Sequence, residues 1–156
     1  MHPPTLKALE FERIVSVVRS LALTPLGERR LAALAPSTDP REVAEAQATT
    51  SEAVRLLTDA PGIPLRAPAD LEDALGGLVL DGRALEPLRL LGLASFLESV
   101  DQCVHGIRRQ PHDRFPRLAA IVAPASSFER EIADVRRAID PAGEVFDHAS
   151  AALRGI

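Results

Sequence analysis

Four arginines near residue 110 could contact nucleic-acid phosphates: Arg108, Arg109, Arg114 and Arg117. Guanidinium groups bind phosphate oxygens, and such binding weakens as the salt concentration rises. A second interpretation is that these charges are ordinary solvated surface groups. The composition favours the second interpretation. A net charge of −4 gives no general attraction to nucleic acid, and only 3% of the residues are aromatic side chains that could stack on bases.

One short segment carries the residue types of a catalytic triad. His148 follows Asp147 and precedes Ser150, and a nucleophilic serine needs a histidine base and an orienting acid. Residues this close along an extended chain rarely converge. Asp147 and Ser150 also have the residue types of turn and helix-cap positions. The segment therefore predicts a turn rather than a catalytic site.

The sequence contains few side chains that could bind a metal ion or a cofactor. Cys103 and His105 are near neighbours, but two ligands do not complete a zinc site. A phosphate-binding P-loop needs a glycine-rich turn followed by lysine, and the only lysine is Lys7. We therefore expect no catalytic residue, no metal and no cofactor in this stretch of polypeptide.

The composition predicts a mainly helical fold. Hydrophobic residues make up 46% of the 156 residues, without Trp or Tyr, so the core must consist of Leu, Ile, Val and Ala, which favours helices over strands. No apolar run reaches the ~20 residues of a membrane span. A single cysteine excludes an internal disulfide and fits a reducing compartment. We expect a cytoplasmic protein without membrane contact.

Helix-start signals divide the first 60 residues into three helices. The first is predicted over residues 5–22. Thr24, followed by Pro25, opens the second helix, since a capping side chain before a first-turn proline is a typical helix start. Asp39, also followed by a proline, opens the third. The third helix is predicted to bury a stripe at helical spacing, formed by Val43, Gln47, Thr50, Val54 and Leu57.

The second half is predicted to contain one long helix and one hairpin. The helix should span residues 83–109, with Pro87 in its first turn, where a missing N–H costs little. Residues 139–147 place Pro141 and Gly143 between two short apolar stretches. This pattern is typical of a β-hairpin.

The last residues carry the start of a further helix. Ser150 is a capping residue type, and a helix of about six residues is not stable alone. We therefore expect the helix to continue beyond Ile156. Residues 1–138 are predicted to form a helical core module, and residues 139–156 a hairpin followed by the truncated start of a longer helix.

These helix starts and turns resemble a known family. From Thr24 the chain reads Thr-Pro-Leu-Gly-x-x-x-Leu-x-x-Leu-x-Pro-x-x-Asp, which resembles the opening of the core region in MutS-family proteins. Residues 9–14, 50–57 and 139–154 narrow the resemblance to the second bacterial MutS branch, the MutS-like endonucleases with a C-terminal Smr nuclease domain. The resemblance covers nearly the whole chain.

The resemblance implies a MutS-type helical core that starts the protein directly, without mismatch-reading or connector domains. In the family, the core leads through a hairpin into lever helices, a clamp, a dimerising ABC-type ATPase that uses ATP and Mg²⁺, and the Smr nuclease. Members are linked to branched-DNA binding, suppression of recombination and rescue of collided ribosomes. The catalytic parts would then lie after Ile156.

One sequence match within the MutS families is expected to carry no function. Phe96-Leu97-Glu98 has the letters of the Phe-x-Glu wedge that the mismatch-reading branch inserts into DNA. It lies inside the predicted long helix, with Phe96 on the apolar face. We therefore interpret the match as coincidence.

Two functional hypotheses follow. In the first, the chain is a non-catalytic scaffold of a homodimeric parent, supporting the lever helices and relaying the ATPase state to the clamp. In the second, it is a stand-alone helical domain that binds protein or nucleic acid. The unfinished helix after Ser150 favours the first hypothesis, whereas tight binding by the chain alone would favour the second.

Overall fold

The computed structural model describes residues 3–59, 62–80, 82, 84–147 and 149. Within these residues the chain is mainly helical, as predicted. The helices are α1 (Pro3–Ala8), α2 (Phe11–Arg19), α3 (Pro25–Ala32), α4 (Pro40–Asp59), α5 (Leu71–Leu78), α6 (Pro87–Arg108), α7 (Pro116–Val122) and α8 (Glu129–Ala138). None of the helices in the described ranges combines the length and apolarity that a membrane span requires.

The predicted first helix is two helices, because the chain turns sharply at Glu10. This residue has a φ of 49°, in the left-handed region that most L-residues avoid. Its backbone N–H donates to the Lys7 carbonyl at 3.1 Å, and its own carbonyl accepts the first bond of α2 from Arg13 at 2.9 Å. The prediction of one helix was wrong here because neither glycine nor proline marks the break.

The capping predictions at Thr24 and Asp39 are confirmed. Thr24 Oγ1 accepts the backbone N–H of Gly27 at 3.0 Å. A Cβ at Gly27 would lie 3.1 Å from that oxygen, which is closer than ordinary van der Waals contact, so glycine avoids crowding in the first turn of α3. Asp39 Oδ1 accepts the N–H of Arg41 at 2.8 Å and thereby satisfies a free amide at the start of α4.

The described residues fall into two compact units. Those within 3–63 and 104–125 belong to the first unit, and those within 64–103 and 126–149 belong to the second. The first contains α1–α4, the end of α6 and α7. The second contains α5, most of α6 and α8. The predicted division into a core module and a lever entry at residue 138 concerns the parent protein and stays a prediction.

The core of the first unit lies between α4 and α7. Leu56, Phe115 and Leu118 are buried together, and Ala53 and Ile107 pack against them. The inner face of α4 therefore differs from the predicted stripe.

The predicted α4 stripe was wrong about burial. Val54 is 58% and Leu57 47% exposed, whereas Glu52 is only 1% exposed. The apolar pattern predicted the wrong face of α4 to be buried, because the residue at the centre of the contact with α7 is a carboxylate.

Two buried polar side chains of α6, Ser99 and Asp101, bond to other segments of the second unit. Ser99 Oγ accepts the N–H of Arg66 at 3.1 Å and donates to the Phe96 carbonyl at 2.7 Å, which fixes the loop before α5. Asp101 Oδ2 accepts the N–H of Phe128 at 3.2 Å and the Ser127 hydroxyl at 3.3 Å. An α6 carboxylate therefore caps the start of α8.

The predicted hairpin is a tight turn with one antiparallel bridge, between Ile139 and Val145. Asp140 Oδ1 accepts the N–H groups of Ala142 and Glu144 at 2.9 and 2.8 Å. Gly143, at a φ of 88°, allows the reversal. Paired strands do not form within the described residues, because the chain enters the turn directly from the end of α8. The predicted helix after Ser150 lies outside the described residues.

Candidate functional site

The four predicted nucleic-acid-binding arginines all lie in the first unit, around α7. Arg108 ends α6, Arg109 follows it, Arg114 lies in the turn before α7, and Arg117 lies in its first turn.

Arg117 joins α7 to two carboxylates of α4. Its Nε lies 2.8 Å from Glu45 Oε1 and its Nη2 lies 3.1 Å from Glu45 Oε2, which is the bidentate geometry of a strong arginine–carboxylate pair. Its Nη1 lies 3.0 Å from Glu52 Oε1. These two carboxylates hold the pKa of Arg117 above its ordinary value.

Glu52 caps α7 from a different helix. Its Oε2 accepts the backbone N–H groups of Arg117 at 2.9 Å and Leu118 at 3.2 Å. These are free amides in the first turn of α7, where the helix dipole favours negative charge. Glu52 is thus a buried carboxylate with a hydrogen-bond partner on each oxygen, which is what burial of a charge requires.

Opposing effects set the pKa of Glu52. Burial by itself would raise it. The hydrogen bond from the Arg117 side chain and those from the Leu118 and Arg117 amides outweigh burial, and hold the pKa below the ordinary value of 4.5. The carboxylate is therefore charged in the folded protein at neutral pH.

Arg108 caps the other end of α7. Its Nη2 donates to the carbonyls of Val122 at 3.0 Å and Ala125 at 2.9 Å. These carbonyls lie at and just beyond the end of the helix, where the dipole favours a cation. A helix of seven residues is not stable alone, and α7 is held at its two ends by opposite charges from α4 and α6.

The two remaining arginines differ from each other. Arg114 pairs with Asp59, and its guanidinium lies 5.2 Å from the centre of the Phe115 ring. Arg109 is exposed, and within the described residues its side chain has no hydrogen-bond or ion-pair partner. Three of the four arginines therefore have intramolecular roles, and the predicted nucleic-acid contact stays a prediction that concerns Arg109 most directly.

Comparison with known proteins places the whole chain within one set of relatives. It is 36% identical over 156 residues to Endonuclease MutS2 of Symbiobacterium thermophilum, and 34% identical over 161 residues to Endonuclease MutS2 of Geobacillus kaustophilus, matches that each cover 100% of this chain. It is 30% identical over 151 residues, 97% of this chain, to Endonuclease MutS2 of Thermotoga petrophila. The chain belongs to the MutS2 family.

The match is to the N-terminal region of those MutS2 proteins. The chain spans 19% of the Symbiobacterium and Thermotoga proteins and 20% of the Geobacillus protein. No family model matches the chain. No solved structure matches it either.

Two of the other residues considered for chemistry in this MutS2 chain belong to α6. Cys103 is a free, half-buried thiol in α6, and burial raises its pKa. Glu98, the last residue of the Phe-x-Glu match, forms an ion pair with Arg136 of α8. His148 and Ser150 lie outside the described residues.

Sequence reasoning missed Glu52 as the central residue of the α4–α7 contact. The signal was present, since Glu45 and Glu52 lie seven residues apart and therefore on one face of a helix. Glu52 also lies beside Ala53 and four residues before Leu56, which are both in the core. A charge flanked in this way indicates a buried ion pair.

Proposed function

We propose that this chain is the non-catalytic N-terminal core of a MutS2 endonuclease. The observation that carries the proposal is the match of the whole chain to one fifth of relatives named Endonuclease MutS2. In the proposal the parent is a cytoplasmic, homodimeric, DNA-binding ATPase and nuclease. Its ATP, Mg²⁺ and catalytic residues lie outside this chain.

The core's proposed task is to couple the ATPase state to the lever helices and the clamp. Such coupling requires helices that move as a unit rather than separately. The charged anchors support this role, because Glu52 and Arg108 fasten α7 to α4 and α6 through its two ends. Displacing one of these helices would break charge-assisted hydrogen bonds, which are stronger than neutral ones.

The proposed targets are branched DNA or collided ribosomes, reached through the full-length protein. Binding of branched DNA would suppress recombination, whereas binding of ribosomes would serve their rescue. Competition between a four-way DNA junction and stalled ribosomes for the full-length protein would distinguish the two. Preferential retention of one target at physiological salt identifies it.

The most direct test is to sequence the reading frame after Ile156. We expect a Walker A loop followed by an Smr domain, and a short frame without a Walker A loop would refute the proposal.

A biochemical test compares the purified chain with the full-length protein. We expect ATP hydrolysis and DNA cleavage by the full-length protein and neither by the chain. Turnover by the chain that disappears on changing one of its own residues would contradict a non-catalytic core. Tight binding of the chain alone to a branched DNA at physiological salt would instead identify a stand-alone binding domain.

Coupling is tested by a variant in the full-length protein. Arg108→Gln weakens the attachment of α7 to α6, so we expect basal ATP hydrolysis to persist and its stimulation by DNA to fall. Arg55→Gln is the control, because it removes the same charge from an exposed side chain of α4 that has no hydrogen-bond or ion-pair partner within the described residues and is not a candidate DNA contact. An equal loss of stimulation in both variants would contradict coupling through α7.

A further inference from the structure

Within the part of the chain that the structure describes, only one face of helix α4 packs against another helix, α7. Glu45 and Glu52 face α7 through Arg117. The other face carries the stripe that the sequence predicted to be buried. Its positions are Val43, Gln47, Thr50, Val54 and Leu57, and we name it the α4 seam.

The α4 seam has the spacing of a helix–helix contact. Its residues follow one another at intervals of four, three, four and three, which is the repeat of the a and d positions in a coiled coil. Glu45 and Glu52 occupy the position opposite such a seam. The free face and the α7-bound face therefore lie on opposite sides of one helix.

The α4 seam is open to solvent along its length. Val43 is 36%, Val54 58% and Leu57 47% exposed, and Gln47 and Thr50 are also exposed. From the first to the last of these residues the seam is about 21 Å long, since a helix rises about 1.5 Å per residue.

The positions that border the α4 seam are small and uncharged. They are Ala44, Ala46, Ser51 and Thr58, together with Ala53, which also packs against the core of the first unit. Small residues let another helix approach closely, because the distance between packed helices depends on the side chains at the contact. The absence of charge at these positions speaks against a nucleic acid, which binds through Lys and Arg.

We propose that the α4 seam binds an amphipathic helix from the part of the MutS2 polypeptide that lies outside these 156 residues. The helix presents Leu, Ile or Val at the same alternating spacing and extends over at least four turns. The proposal rests on the proposed function, in which a longer parent exists, and it names the surface where the rest of that parent joins the core.

The size of the α4 seam favours a helix of the same polypeptide over a second copy of the chain. A stable interface between separate proteins uses about 20–30 residues a side, whereas the seam has five, two of them polar. A helix tethered to the core avoids most of the entropy cost of association. The relatives supply ample chain for it, since this chain spans only 19–20% of their length.

Thiol labelling can test the proposal directly. Val54→Cys is introduced into the 156-residue chain and into the full-length protein, and its maleimide labelling rate is followed by peptide mass spectrometry, so that other cysteines do not interfere. Arg55→Cys is the matched control, because it is the adjacent exposed residue on α4 and lies outside the seam. Circular dichroism verifies that both variants fold.

We expect Val54→Cys and Arg55→Cys to react at similar rates in the 156-residue chain. In the full-length protein, Val54→Cys should react at least about tenfold more slowly, because labelling then requires local opening of the contact, and Arg55→Cys should be unchanged. Equal rates for Val54→Cys in the two proteins would overturn the proposal. Protection in the isolated chain that disappears on dilution would also overturn it, in favour of a second copy.

Failure of the α4 seam proposal and failure of the proposed function can be told apart. If the full-length protein hydrolyses ATP and cleaves DNA while Val54→Cys stays freely reactive, the core role stands and the α4 seam is not its contact surface. If the reading frame lacks an ATPase domain, the proposed function fails regardless of the labelling result.

Discussion

Glu52 Oε2 lies 2.9 Å from the backbone nitrogen of Arg117, while Glu52 Oε1 lies 3.0 Å from the guanidinium of the same residue. One carboxylate thus caps a helix through its backbone and pairs with that helix's side chain. Glu52 Oε2 also accepts the N–H of Leu118. The charge therefore lies between the core of the first unit and its surface.

Replacing Glu52 should destabilise the chain more than replacing Glu45. Glu52→Gln keeps the shape but leaves the Arg117 charge and the α7 amides without a buried carboxylate, so we expect Tm to fall by several degrees. Glu45→Gln removes a carboxylate whose side chain is 61% exposed, and exposed pairs contribute little. Thermal unfolding followed by circular dichroism measures both, and a larger effect of Glu45→Gln would contradict the capping role.

The hydrogen bonds and ion pair of Glu52 should make the free energy of unfolding depend on pH. The folded state holds the pKa of Glu52 below its ordinary value of 4.5. Its contribution is therefore complete above the unfolded pKa and is lost as the pH falls through the lower folded pKa. Urea unfolding measured from pH 7 to pH 3 should show that the difference in unfolding free energy between the unsubstituted chain and Glu52→Gln becomes smaller at the acid end. A constant difference across that range would show that the charge of Glu52 is not responsible.

Phe115 should be the most costly core residue to truncate in the first unit. It is 1% exposed and packs with Leu56 and Leu118. Phe115→Ala should lower the free energy of unfolding by about 3–5 kcal/mol, through lost burial and the cavity left behind. Val79→Ala, at a residue 81% exposed, should change it by less than about 0.5 kcal/mol. Urea denaturation tests the pair, and similar losses would place Phe115 outside the core.

Substituting Arg108 should affect the stability of the chain, whereas substituting Arg109 should affect its binding of nucleic acid. Arg108→Gln removes the cation at the end of α7 and should cost about 1 kcal/mol of stability. Arg109→Gln should leave stability unchanged and reduce the weak binding of duplex DNA that we expect at low salt, with a smaller salt dependence. Thermal unfolding and fluorescence anisotropy measure the two effects. DNA binding unaffected by Arg109→Gln would remove Arg109 as a contact.

Asp101 should stabilise α8 although it belongs to α6. Asp101→Ala leaves the Phe128 N–H without its acceptor, and loss of a cap of this kind costs about 1 kcal/mol. Hydrogen exchange should quicken in the first turn of α8, beginning at Glu129. Exchange that quickens only around residue 101 would mean that the cap does not hold α8.

The sequence predicted those features whose physical cause is local. Thr24 and Asp39 bond to amides two or three residues away, so their roles follow from neighbouring residues alone. The Asp140–Gly143 turn is local in the same way, although its flanks form one bridge rather than strands.

The features that the sequence did not predict depend on distant residues. Glu52 contacts residues 65 and 66 positions away, so helical periodicity could indicate its face of α4 but could not identify its partners. The stripe on α4 predicted that the wrong face of the helix is buried, because the face that is buried carries a carboxylate. Arg108 and Arg117 were recognised as a basic cluster, but their acceptors are carbonyls and carboxylates of this chain. The break at Glu10 has no composition signal.

The distance between Glu52 and Arg117 along the chain also determines what α4 experiences during synthesis. Arg117 is translated 65 residues after Glu52, which at about 5–20 residues per second takes roughly 3–13 seconds. A helix forms in about a microsecond, so α4 must wait in the cell with its α7-binding face uncovered. A hydrated carboxylate in the middle of that face keeps it from becoming a continuous apolar surface to which other nascent chains could adhere.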